Sequence, residues 1–84
     1  MVIKEMVVEG KSGLKSKPAA LFIQKACSYK SSIWIEREER KANAKSMLGL
    51  LSLSIGMGSR ISIIAEGEDE EAAVAELAEY INSL

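Results

Sequence analysis

The chain has 84 residues, with eleven Lys or Arg against twelve Asp or Glu and a net charge of −1, so bulk electrostatics give it no reason to bind nucleic acid directly. A single cysteine, Cys27, excludes an internal disulfide and points to a reducing compartment, and the absence of histidine leaves a zinc site too few ligands. No apolar run approaches the roughly 20 residues of a membrane helix, and the first residues lack a secretory-signal pattern; a soluble, cytoplasmic single domain over residues 1–84 is expected, with no cofactor, metal or membrane association.

Val2 to Val8 is rich in β-branched residues and reads as a strand, with Met6 and Val8 inward. Gly10, Ser12 and Gly13 mark a loop. Ser16 to Ser28 reads as a helix with Pro18 in its first turn, where a missing N–H costs nothing. Ala19, Phe22, Ile23 and Ala26 recur at helical spacing and form its buried stripe, and Cys27 beside them reads as a partly buried structural thiol. Ser32 to Glu36 is a second strand with Ile33 and Ile35 inward and Trp34 outward. Arg40 to Asn43 is its short partner, although Arg37-Glu38-Glu39 lacks the Asn-Gly or Asp-Gly of a two-residue hairpin. By propensity Glu36 to Ser46 is equally good helix, and the residues alone leave both readings open.

Ser46 precedes an apolar run, Met47-Leu48-Gly49-Leu50-Leu51-Ser52-Leu53, and is placed to cap a short helix by accepting a bond from an orphan backbone N–H. As an ordinary cap it needs no further role. Yet so short a helix cannot bury Met47, Leu48, Leu50, Leu51 and Leu53 together in a small protein, and exposed apolar groups mark partner surfaces. Gly56 and Gly58 punctuate the following loop. Arg60 to Glu66 is a strand in which Ile61, Ile63 and Ala65 alternate with Ser62 and Ile64. Asp69 is expected to cap a last helix, with Glu70 and Glu71 in its first turn and Val74, Leu77, Ala78 and Ile81 inward. The order β-α-β-β-α-β-α predicts an α+β fold: an open-faced sandwich whose four-stranded antiparallel sheet carries three helices on one face.

Charge is segregated along the chain. Acidic residues crowd Glu66 to Glu79, every basic residue lies at or before Arg60, and Lys11, Lys15 and Lys17 share one segment. These lysines are either a solvated loop or, at a helix start, a site for an anionic partner.

Two stretches, Ser12-Gly13-Leu14-Lys15-Ser16-Lys17-Pro18-Ala19-Ala20 and Asn43-Ala44-Lys45-Ser46-Met47-Leu48-Gly49-Leu50-Leu51-Ser52-Leu53, together resemble the HPr family, the small phosphocarriers of the bacterial sugar phosphotransferase system. The resemblance covers the whole chain, and Ser46 falls on the regulatory serine of the family. It implies the open-faced HPr-like fold. Lys15 stands where the family carries its phosphorylatable histidine, and Lys17 where it carries an arginine. The chain therefore resembles the histidine-less catabolite-repression branch, the Crh-like proteins, although lysine is not the residue usual there. That resemblance implies a non-enzymatic regulator phosphorylated on Ser46 by an HPr-type kinase/phosphorylase and then bound by a LacI-type catabolite control repressor. Met47, Leu48 and Leu51 would supply apolar contact around the new charge, and Lys15 and Lys17 a site for an anionic partner. Two other functions remain open on the residues: a phosphocarrier using Ser12 or Ser16, for which no base is present, and a binding module that needs no phosphate. Exchange of the N-terminal strand to give a swapped dimer is also open.

Overall fold

Val2–Val7 forms the edge strand β1 in the computed structural model, which describes residues 1–84. It is followed by α1 (Ser16–Cys27), β2 (Ser32–Arg37), β3 (Arg40–Asn43), α2 (Met47–Ser52), β4 (Arg60–Glu66) and α3 (Glu70–Asn82). The strands make one antiparallel sheet in the order β1-β4-β2-β3. The expected fold class holds.

Alternation along each strand sorts its side chains between the two faces. Ile33 and Ile35 of β2, Ile61, Ile63 and Ala65 of β4, and Val8 just beyond β1 enter the core. There they meet Ala19, Phe22 and Ala26 of α1, Leu50 of α2, and Ala73, Val74, Leu77, Ala78 and Ile81 of α3. The opposite face carries no helix. Across it run the register partners Ile3, Ile64, Trp34 and Asn43, with the Lys41 ammonium 4.8 Å from the centre of the Trp34 ring.

The residues between Glu36 and Ser46, ambiguous by propensity, pair as a hairpin because Ile35 and the strand ladder gain more from the sheet than from a helix. Its connection is the two residues Glu38 and Glu39, at φ 52° and 66°. Both lie in the left-handed region that a type I′ turn demands and that non-glycine residues enter at a cost.

Two local expectations are corrected. Asp69 precedes α3 but makes no cap bond with its side chain; its carboxylate instead accepts from the Lys30 and Ser31 backbone N–H groups and from the Ser31 hydroxyl. These three donors hold the carboxyl down at about 2, the hydroxyl bond contributing most. Cys27 is exposed, because it lies one residue past the buried Ala26 and so turns off the apolar stripe. Helix α3 is tied to α1 as well. The Tyr29 hydroxyl donates to Glu76, Lys25 Nζ reaches the other Glu76 oxygen at 3.3 Å, and the Tyr80 hydroxyl donates to Pro18 O at 2.9 Å.

Candidate functional site

The chain enters α2 along a fixed path. Ala44 is fully buried and its N–H donates to Ile33 O, while Lys45 Nζ donates to both Tyr29 O and Ser31 O at 2.9 Å. Asn43 Oδ1 accepts from Lys45 N, and Ser46 N donates to Asn43 O. The result is an extended Ser46, φ −113° and ψ 120°, whose Oγ accepts from Gly49 N at 3.2 Å. This is the expected cap. Gly49 lies against β3, where an added Cβ would sit 3.3 Å from Ala42 Cβ and 3.4 Å from Ser46 Oγ. A side chain there would press on the strand and stand in contact with the hydroxyl.

Helix α2 divides its apolar residues between core and solvent. Leu50 and the following Leu53 are buried, whereas Met47 is 39%, Leu51 43% and Leu48 82% exposed. Met47 and Leu51 stand on successive turns, as do Leu48 and Leu51, so the three make one outward face. Ser46 is half-buried at its edge. No acidic side chain occupies the first turn of α2. A negative charge placed on Ser46 meets no carboxylate there.

Lys15 occupies the position before α1, extended at φ −125° and ψ 150°, and makes no cap bond. Ser16 follows at φ 46°. Lys11, Ser12, Lys15 and Lys17 are exposed, whereas Leu14 is buried and its N–H donates to Ile55 O at 3.0 Å. Gly13, at φ 60°, lies so close to Ile55 and Gly56 that a Cβ would stand 2.6 Å from Ile55 O. Only glycine fits both that conformation and that gap. The basic loop is thus seated on the loop that leaves α2, and α1 packs on α2. Lys15 and Lys17 stay with the start of α1, and Met47, Leu48 and Leu51 with Ser46.

Two features of this region escape the sequence reading. Leu21 is a further exposed apolar residue, on α1; its signal was available, since it falls outside the Ala19–Phe22–Ile23–Ala26 stripe. Arg37 and Arg40 donate to the last carbonyls of α2, Leu53 O and Ser52 O. No local pattern announces those contacts.

Comparison with known proteins identifies the family. A family model described as the PTS HPr component phosphorylation site matches residues 2–83. The chain is 49% identical over 81 residues to the HPr-like protein Crh of Halalkalibacterium halodurans, covering 96% of each. It is 43% identical over 81 residues to the HPr-like protein Crh of Bacillus subtilis, covering 96% of this chain and 95% of that one. Among solved structures, HPr-C-His from Thermoanaerobacter tengcongensis superposes with a TM-score of 0.95 at 41% identity, over 99% of this chain and 93% of that one. The chain belongs to the HPr family of the phosphotransferase system and is similar to its Crh proteins.

Proposed function

We propose that this chain is a non-enzymatic regulator of carbon catabolite repression, switched by phosphorylation of Ser46. In the cytoplasm an HPr-type kinase/phosphorylase transfers the γ-phosphoryl group of ATP to Ser46 Oγ: the new P–O bond forms, the bond to ADP breaks, and the hydroxyl proton is released. The phosphoprotein then binds a LacI-type catabolite control repressor, and the chain itself touches neither DNA nor membrane. The observation that carries this reading is the pairing of a capping hydroxyl with an exposed apolar face, Met47, Leu48 and Leu51, on one short helix.

Phosphate adds a charge of about −1.5 to −2 and strong acceptor oxygens. At Ser46 those oxygens take over the bond from Gly49 N, so the modification rewrites the surface and keeps the helix. Lys15 in place of a relay histidine, with no histidine elsewhere, removes the phosphoryl relay. Lys15 and Lys17 serve as cationic contacts for the partner.

The test is a pair of mass-spectrometric assays. Kinase and ATP should add one phosphate, lost in Ser46→Ala, while enzyme I and phosphoenolpyruvate should add none. Phosphate from the second donor would make the chain a carrier. Repressor binding by the unmodified protein, equal to that of the phosphoprotein, would make it a constitutive module.

A further inference from the structure

Helix α2 has only six residues, too few to persist alone, and no basic side chain in its own last turn. Its C-terminal carbonyls are nevertheless occupied. Arg37 Nη1 donates to Leu53 O and Arg40 Nη2 to Ser52 O, each at 3.1 Å. The two arginines are the last register pair of the β2–β3 hairpin, so both side chains leave the same face of the sheet. The closing turn brings Glu38 and Glu39 into the left-handed region, a conformation these residues resist. The hairpin thus delivers two guanidinium groups to the negative end of a short helix, where charged donors make stronger bonds to carbonyls than neutral ones.

We propose that Arg37 and Arg40 are positioning residues for α2, clamping its C-terminal end so that Met47, Leu48 and Leu51 stay in fixed register with Ser46. The functional consequence rests on the reading of Ser46 and α2 as the partner-binding element. The clamp matters most after phosphorylation. Modifying Ser46 Oγ transfers the bond from Gly49 N to the phosphate oxygens, so the cap at the N-terminal end is exchanged for another. The arginines act at the other end and keep the helix formed meanwhile. Neither touches the proposed phosphate, and neither belongs to the exposed apolar face.

Amide hydrogen exchange and repressor affinity decide it, on the full chain with Arg37→Ala/Arg40→Ala and Arg37→Lys/Arg40→Lys beside the parent. Leu53 N and Ser54 N, which bond Leu50 O and Leu51 O, should exchange about tenfold faster in the alanine pair, while β4 amides change by less than about twofold. The phosphorylated alanine pair should bind the repressor about tenfold more weakly, and the lysine pair should recover part of both losses. Unchanged exchange in α2, equal acceleration in α2 and β4, or faster exchange with full affinity would each overturn the clamp. Should the alanine pair not fold, Arg40→Ala alone, at an exposed side chain, carries the same comparison. A parent phosphoprotein that binds no repressor would refute the regulator reading, and the exchange rates would then decide the clamp by themselves.

Discussion

On the proposed function Ser46 has two jobs for one oxygen, capping and accepting phosphate, and substitution separates them. Ser46→Ala removes the acceptor for Gly49 N, a loss of about 0.5–2 kcal/mol. In a domain of this size each kcal/mol lowers the melting midpoint by roughly 4–8 °C. Phosphorylation and repressor binding should vanish altogether, and calorimetry beside a binding titration distinguishes the modest loss from the complete one. Leu48 offers the complementary test. At 82% exposed, Leu48→Ala should change stability by no more than about 0.5 kcal/mol, while the buried Leu50→Ala should cost about 2–5 kcal/mol. If Leu48→Ala leaves repressor affinity intact, the apolar face is not the contact. Lysine and histidine differ at position 15 in their lone pairs. A lysine ammonium near neutral pH has none to accept a phosphoryl group, whereas an imidazole keeps an uncharged nitrogen. Lys15→His should therefore take up phosphate from enzyme I at a modest level, since Lys17 lacks the planar fork of arginine. No uptake would mean that the α1 start, with Ser16 at φ 46°, is not competent to present a histidine.

At the scale of elements, the sequence was most legible where one periodicity had no rival. Arg60 to Glu66 alternates apart from Ile64 and forms β4 with those bounds; Ser46 and the apolar run after it give α2 at its expected place. The hairpin was harder, because its turn lacks the residues that normally signal one. Pairing of β2 with β3 overrides that local preference and forces Glu38 and Glu39 into the left-handed region. Replacing them with Asn-Gly should release about 1–2 kcal/mol, seen as a higher denaturant midpoint with an unchanged slope. A lower midpoint would show that the glutamates contribute more than their strain costs. The Arg37–Glu38 pair at 3.5 Å, with Glu38 exposed, contributes too little to reverse the sign. Asp69 departs from the expected side-chain cap for a related reason. Its position fits a cap, but buried Ser31 and the α1–β2 loop need an acceptor, and a carboxylate makes stronger bonds there. Likewise Arg37 and Arg40 show nothing locally, because their acceptors lie on another element.

For the molecule as a whole, the polar ties run mainly from α3 to the α1–β2 region, and they titrate. Asp69 is held at about 2 against an ordinary 3.8, first by the Ser31 hydroxyl and then by the Lys30 N–H. Glu76 is lowered from 4.5, chiefly by the Tyr29 hydroxyl, and Glu70 chiefly by the Gly67 N–H. A carboxyl depressed in the folded state stabilises fully above its unfolded value, and that contribution disappears as pH falls through the folded one. The melting midpoint should therefore stay level from neutral pH to about 5 and fall between there and about 2. Asp69→Asn should start lower at neutral pH and show a shallower acid fall, because its side chain no longer titrates. At the other extreme Tyr29 is raised to about 12, first by its hydrogen bond to Glu76. Its contribution is complete below 10 and lost as pH climbs from 10 towards 12. Tyr29→Phe should flatten that alkaline limb and leave the Asp69 part of the acid limb in place. An acid fall of equal depth in the parent and Asp69→Asn would show that other carboxylates govern acid unfolding, and that the Asp69–Ser31 tie holds the α1–β2 loop without setting the stability of the fold.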